Sequence, residues 1–327
     1  NTVLYTGNGG TNAITGVGFQ PDWVSIKRRS GSAANGGVFD VVRGVTKLLS
    51  TSLSDAESTR ADSLTAFGTD GFTLGADSGN YVNTNSETFV SWNWKAGNSQ
   101  GSSNTDGSVN TTYTSVNTTA GFSISSFTTP SSGTFTVGHG LGVAPKWIIY
   151  RPVTTSGWQI GHDSIGWTKA VFFDTQSQQT STAFGNTDPT NTVWTGNSAN
   201  VGGNASCIAY CFAEKTGYSK FGSYTGNGNA DGTFIYTGFK PAFVMVKRTD
   251  NTSDWQMQDN KRIGYNINNY RLSANLSAAE TTSGVMDLIS NGFKFRGTPM
   301  NTNGGTFIYM AFGQSLVGSN NVPSTAR

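Results

Sequence analysis

A motif written three times constrains this chain more than any other feature. It reads Gly18-Phe19-Gln20-Pro21-Asp22-Trp23-Val24-Ser25-Ile26-Lys27-Arg28 near the start and Gly238-Phe239-Lys240-Pro241-Ala242-Phe243-Val244-Met245-Val246-Lys247-Arg248 near the end. A looser copy, Gly140-Leu141-Gly142-Val143-Ala144-Pro145-Lys146-Trp147-Ile148-Ile149-Tyr150-Arg151, lies between them. In each, a proline precedes an aromatic residue, and apolar residues then recur at alternate positions: Val24 and Ile26, Ile148 and Tyr150, Val244 and Val246. A period of two is the signature of a strand with one buried face. Proline lacks the N–H that a central ladder needs, so each proline marks a strand entrance.

Further landmarks repeat around the motif. Thr65-Ala66-Phe67-Gly68 returns as Thr182-Ala183-Phe184-Gly185. Leu49 to Glu57 returns as Leu272 to Glu280, and the Asp70-Gly71-Phe72 turn as Asn291-Gly292-Phe293. Each unit closes on an alternating strand, with Val90, Trp92 and Trp94, then Ile208, Tyr210 and Phe212, then Ile308, Met310 and Phe312 on one face. From Pro21 to Trp94, Pro145 to Phe212 and Pro241 to Phe312 the intervals are 73, 67 and 71 residues, a ruler too regular for chance. Short alternating strands separated by Gly, Asn and Asp turns, with no long helical period, predict an all-β fold. The expected architecture is three tandem antiparallel β-sandwich (jelly-roll-like) modules in series, forming an elongated body. The expected boundaries are 1–97 for the first module, 98–120 for a Ser/Thr/Asn/Gly-rich linker, 121–216 for a divergent second module, 217–318 for the third and 319–327 for a tail.

Composition narrows the function classes. Only 12% of the residues are charged, 42 are Gly, and the formal net charge is +2 with its lysines and arginines scattered; this is no footprint for nucleic acid or anionic lipid. No run of 18 apolar residues occurs, so no membrane-spanning helix is expected. Cys207 and Cys211, on one strand, stand about 13 Å apart, too far for a disulfide, and read as small core fillers. The opening Tyr5-Thr6-Gly7-Asn8-Gly9 matches Tyr224-Thr225-Gly226-Asn227-Gly228, so the numbering starts inside a repeat and sequence upstream of Asn1 is expected to have been removed or left out.

Four segments carry a resemblance. The Gly18 to Arg28 motif, the Asp-x-x-Arg-Gly-x-x-Lys-x-Leu stretch from Asp40 to Leu49, Asp70-Gly71-Phe72-Thr73-Leu74-Gly75, and Phe89 to Gly97 resemble repeat domains in virion proteins of tailed bacteriophages, often marine. The third unit matches too, through Tyr236 to Pro241, whereas the middle unit lacks the Ala-Glu element and the Asp/Asn-Gly-Phe turn. The resemblance implies a tail, tail-fibre-like or surface component of a virus particle, and brings no catalytic residues with it.

Candidate chemistry weighs little against this. His162 and Asp163 are adjacent on a strand and point to opposite faces, which a Ser-His-Asp triad cannot use. Glu57 and Glu280 hold equivalent places in separate repeats, so they are not expected to stand 5 to 10 Å apart as paired glycosidase carboxylates do; they read as structural. Asp250, Asp254 and Asp259 lack EF-hand spacing, and Gly7-Asn8-Gly9-Gly10 reads as a hairpin turn, not a phosphate loop. No catalytic, metal or cofactor residues are assigned and no cofactor is expected. Tyr5, Tyr81, Tyr113 and Trp167, in turn-rich segments, are the candidate glycan or subunit contacts. The expected function is a non-enzymatic structural protein of the virion surface whose partners are copies of itself and other virion proteins. A glycan-binding host adhesin is the alternative, with host-surface polysaccharide as partner, and a polysaccharide depolymerase comes third.

Overall fold

A computed structural model describes residues 1–313; the expected 319–327 tail lies outside the described residues. The fold is all-β, with antiparallel sheets throughout and, among the described residues, only two short 3-10 turns. Three units repeat one strand order. In the first, Thr2–Thr6, Thr88–Trp94, Trp23–Arg28 and Gly37–Asp40 form the main sheet. The second runs Thr111–Asn117, Phe122–Thr128, Ser206–Phe212, Trp147–Pro152 and Gln159–His162. The third runs Ser219–Thr225, Thr306–Gly313, Pro241–Arg248, Gln256–Asp259 and Leu272–Ser273. Each motif strand thus lies centrally, paired with the closing strand of its own repeat. The three prolines do stand at or just before its entrance.

A small outer layer covers one face of each main sheet. It consists of Asn12–Ile14, Gly71–Leu74 and Leu64–Gly68 in the first unit, Thr134–Gly138 with Val193–Asn197 in the second, and Phe234–Tyr236, Gly292–Phe295 and Met286–Ile289 in the third. Val24, Ile26 and Phe89 point into the first private core, Ile148, Tyr150, Cys207 and Cys211 into the second, and Val244, Val246 and Phe307 into the third.

The other face of every main sheet is buried as well, and this corrects the elongated body. Trp23, Trp92 and Trp94 of the first unit, Trp147, Ile149, Tyr210 and Phe212 of the second, and Phe243, Met245, Met310 and Phe312 of the third belong to one shared cluster. Ring pairs cross all three boundaries: Trp23 with Tyr210 at 5.2 Å, Trp147 with Trp255 at 5.8 Å, and Trp94 with Phe312 at 5.4 Å. Strands buried on both faces read as continuous apolar runs, and Trp147-Ile148-Ile149-Tyr150 and Phe307 to Phe312 are such runs. At roughly 25 cal/mol per Å² of apolar surface, units in a line would leave these rings wet at a large cost.

The 98–120 linker is corrected in part. Thr111–Asn117 is a paired edge strand of the second main sheet, with Tyr113 opposite Ser126. Ahead of it, Ala96 and Asn98 donate their N–H groups to the Asp22 carboxylate at 2.7 and 2.9 Å, and the Gln100 amide donates to the Val42 carbonyl at 3.0 Å. Hydrogen bonding to neighbours supplies the order that its composition could not supply alone.

Candidate functional site

The three units meet at three seams, and the same bonds recur at each. The backbone N–H of Glu57 donates to Val153 of the second unit, that of Gln178 to Thr249 of the third, and that of Glu280 to Arg29 of the first. A second rung joins Ser156 N–H to Ser54, Ser253 N–H to Thr175, and Ala34 N–H to Ser277. Each unit therefore hands its motif strand to one neighbour and its Leu49-type loop to the other, so the units form a closed ring.

Cations at one repeat position span the seams. Lys27 donates to the Leu276 carbonyl at 2.6 Å, Arg151 to the Asp55 carbonyl at 2.7 Å, and Lys247 to the Asp174 carbonyl at 2.9 Å. All three are buried. Burial lowers the Lys27 and Lys247 ammonium groups to about 8 and the Arg151 guanidinium to about 10. Arg151 and Lys247 also lie over the rings of Trp158 and Trp255 at 5.1 and 5.7 Å, and those indoles donate across their seams to the Ser50 and Phe172 carbonyls at 2.8 and 2.6 Å. The first unit has Gly36 at that position. A Cβ there would meet the Ile26 carbonyl oxygen at 2.7 Å, so the tryptophan has no counterpart.

Buried ion networks lock two units to the ring. Asp40 pairs with Arg43 at 2.6 Å, and Arg43 with Glu57 at 3.1 Å. The third unit repeats this as Asp259 with Arg262 at 2.7 Å and Arg262 with Glu280 at 3.1 Å. Across the seams, the Tyr210 hydroxyl donates to Asp40 at 2.7 Å, the Trp92 indole to Asp259 at 3.0 Å, and Arg29 pairs with Glu280 at 2.9 Å. In the second unit His162 stands where the aspartates do. Its Nδ1 accepts from Ser164 and its Nε2 donates to the Tyr309 carbonyl at 3.3 Å. Burial lowers its pKa to about 4, so the ring is neutral at pH 7 and takes both bonds without a carboxylate.

Glu57 and Glu280 are thus equivalent, as the repeats imply, and both carboxylates bind arginines. The three aspartates of the third unit are engaged separately, Asp250 by Arg248, Asp254 by the Asn275 amide and Asp259 by Arg262. Among the described residues no group of three or more His, Cys, Asp or Glu could hold a metal ion. His139 is buried and its Nδ1 accepts from Leu141.

The four candidate contact aromatics do not converge. Trp167, only 4% exposed, packs edge-on against Phe184 at 5.4 Å in the second private core, so, contrary to expectation, it is a core residue that cannot reach a ligand. Tyr5 is half-buried, stacked on Phe89 at 5.3 Å, with its hydroxyl donating to the Val82 carbonyl. Tyr81 is half-buried beneath the Arg60 guanidinium at 5.1 Å. Tyr113 alone is exposed, at 37%. The more exposed rings, Tyr236 and Tyr265, lie in the third unit. Sequence reasoning missed them, although Phe234 and Tyr236 fall where the first unit has Ala13 and Thr15, a change that the sheet does not require.

The seam between third and first units is the one that no stretch of described chain crosses. A cavity of about 550 Å³ opens there over Trp92, Trp94, Phe243 and Phe312, with Asn93 and Lys261 among its polar lining.

One family model matches the chain, that of a domain of unknown function (DUF7483), over residues 1–315, and so takes in all three units. No curated protein and no solved structure matches.

Proposed function

The chain belongs to the DUF7483 family, and we propose that it is a non-enzymatic structural protein of a bacteriophage particle, a tail, fibre or surface component. The observation that carries this reading is the closed ring. Three sandwiches that each need a partner for their inner face have found it in one another, and buried seams take up Lys27, Arg43, Arg151, Lys247, Arg262 and Glu280. Few charges remain outside, since 12% of residues are charged in all, and neutral Ser, Thr and Asn surfaces pack against copies of the chain or other virion proteins with little desolvation. The phage resemblance of the repeats supplies the setting.

The test is proteomic and microscopic. Purified particles of the virus that encodes the chain should contain it at a fixed copy number, and antibody against the Thr111–Asn117 edge should label the particle surface. Its presence in the infected cell but not in washed particles would overturn the reading.

A further inference from the structure

The second unit departs from its neighbours in charge. In the first unit Arg43 and Lys47 meet the Asp40 and Glu57 carboxylates, and at the seam of third and first units Arg262 and Arg29 meet Asp259 and Glu280. The second unit replaces this set with neutral residues. His162 stands for the aspartate, and Ile165, three positions on, for Arg43 and Arg262. Gln178 stands for the glutamate, its N–H donating to Thr249 where that of Glu280 donates to Arg29. One cation survives, because Lys169 pairs with Thr180 in the ladder where Lys47 pairs with Thr59. Lys47 has Glu57 at 3.9 Å, whereas Lys169 has no carboxylate partner among the described residues.

The same exchange opens space. Thr249 is shorter than Arg29, and a cavity of about 440 Å³ lies between second and third units, lined by Lys169, Gln178, Ser164, Ser223, Thr225 and Thr249 among others. Lys169 and Gln178 are half-buried, and Ser164, Ser223 and Thr225 are exposed, so a ligand can reach each of them. No Asp or Glu lines the cavity, and Asp163, next to Ser164 in the chain, is taken by Lys146 at 3.0 Å. A half-buried cation without a counter-charge attracts anions more strongly than a fully solvated one, because the protein around it screens less than water. A cation would be repelled, and a neutral ligand would leave the charge unmet. The Gln178 amide and the hydroxyls supply further donors, and hydrogen bonds to an ionised acceptor are the strong ones. The volume suits a small molecule.

We infer that this cavity binds an oxyanion, the carboxylate or phosphate group of a small polar molecule, with its charge on Lys169 and its oxygens accepting from Gln178 and the serine and threonine hydroxyls. The inference rests on one seam and stands apart from the virion reading. It is tested on the full chain by calorimetry with inorganic phosphate, glucuronate and, as the neutral control, glucose, in low salt where screening is weak and at concentrations that saturate a millimolar site. At least one anion should bind and glucose should not; a preference for glucuronate assigns the group to a carboxylate and the reverse preference to a phosphate. Lys169→Met should weaken binding by about tenfold or more, the loss expected of one charge-assisted hydrogen bond. Gln178→Glu, which restores the carboxylate that Lys47 has, should weaken it as much, while Lys95→Met in the first unit should leave it unchanged. Melting temperatures should show that the variants are folded. If neither anion binds, if glucose binds as tightly as glucuronate, or if binding survives Lys169→Met and Gln178→Glu in folded protein, the inference is wrong.

Discussion

Replacing Glu280 with Gln tests the seam that has no covalent link in the described chain. The Glu280 carboxylate is 10% exposed and faces two guanidinium groups, Arg29 at 2.9 Å across the seam and Arg262 at 3.1 Å within its own unit. Removing one partner of a buried pair costs about 3 to 5 kcal/mol. Two facts lower that figure here: Arg29 is 17% exposed and so partly solvated, and Arg262 keeps Asp259 and the Met257 carbonyl, both at 2.7 Å. The expected loss is therefore about 2 to 3 kcal/mol, read from urea unfolding as a lower midpoint at constant slope. In a double-mutant cycle with Arg29→Met, the coupling should be about 1 to 2 kcal/mol. The transition should stay single, because the shared core makes the units unfold together. A loss below about 0.5 kcal/mol, typical of surface changes, or a separate transition for the third unit, would refute the ring.

Three further outcomes follow from buried groups. Tyr210→Phe removes the hydroxyl bond to Asp40 and should cost about 1 to 2 kcal/mol in the same unfolding assay, since Arg43 still satisfies the carboxylate; no change would mean that the seam is solvated. With the His162 pKa lowered to about 4 by burial and an unfolded value near 6.5, the unfolded chain binds the extra proton between these values. Stability should fall as pH drops from about 6.5 to about 4, by up to about 3 kcal/mol. His162→Gln should flatten that part of the profile, and an unaltered profile would exclude the buried neutral ring. Burial pushes the Cys207 thiol up to about 12 and raises Cys211, so iodoacetamide at pH 8 should label neither in folded protein and both in urea. Rapid labelling of the native chain would contradict the second private core.

The repeats, the strand entrances and the private cores were legible because alternation and proline placement are local. Val24, Ile26, Val244 and Val246 fall where their period puts them. The shared core was harder to read, because alternation reports only that a face is buried, not what buries it. Trp92, Tyr210 and Met310 gave the inner face correctly, and only the unbroken apolar runs around them hinted that the outer layer could not account for both faces. Trp167 was misread because its segment is rich in turns; the neighbouring Phe184 shelters it from a distance in sequence that no local pattern conveys. The longer third-unit loop between Asp259 and Leu272 is visible only when the third repeat is laid against the first.

Small-angle scattering of the isolated protein tests the ring most directly. A compact chain of 327 residues should have a radius of gyration of about 20 Å. Three modules of roughly 100 residues each in a line would give roughly 30 Å, and a value near that larger figure would contradict the shared core.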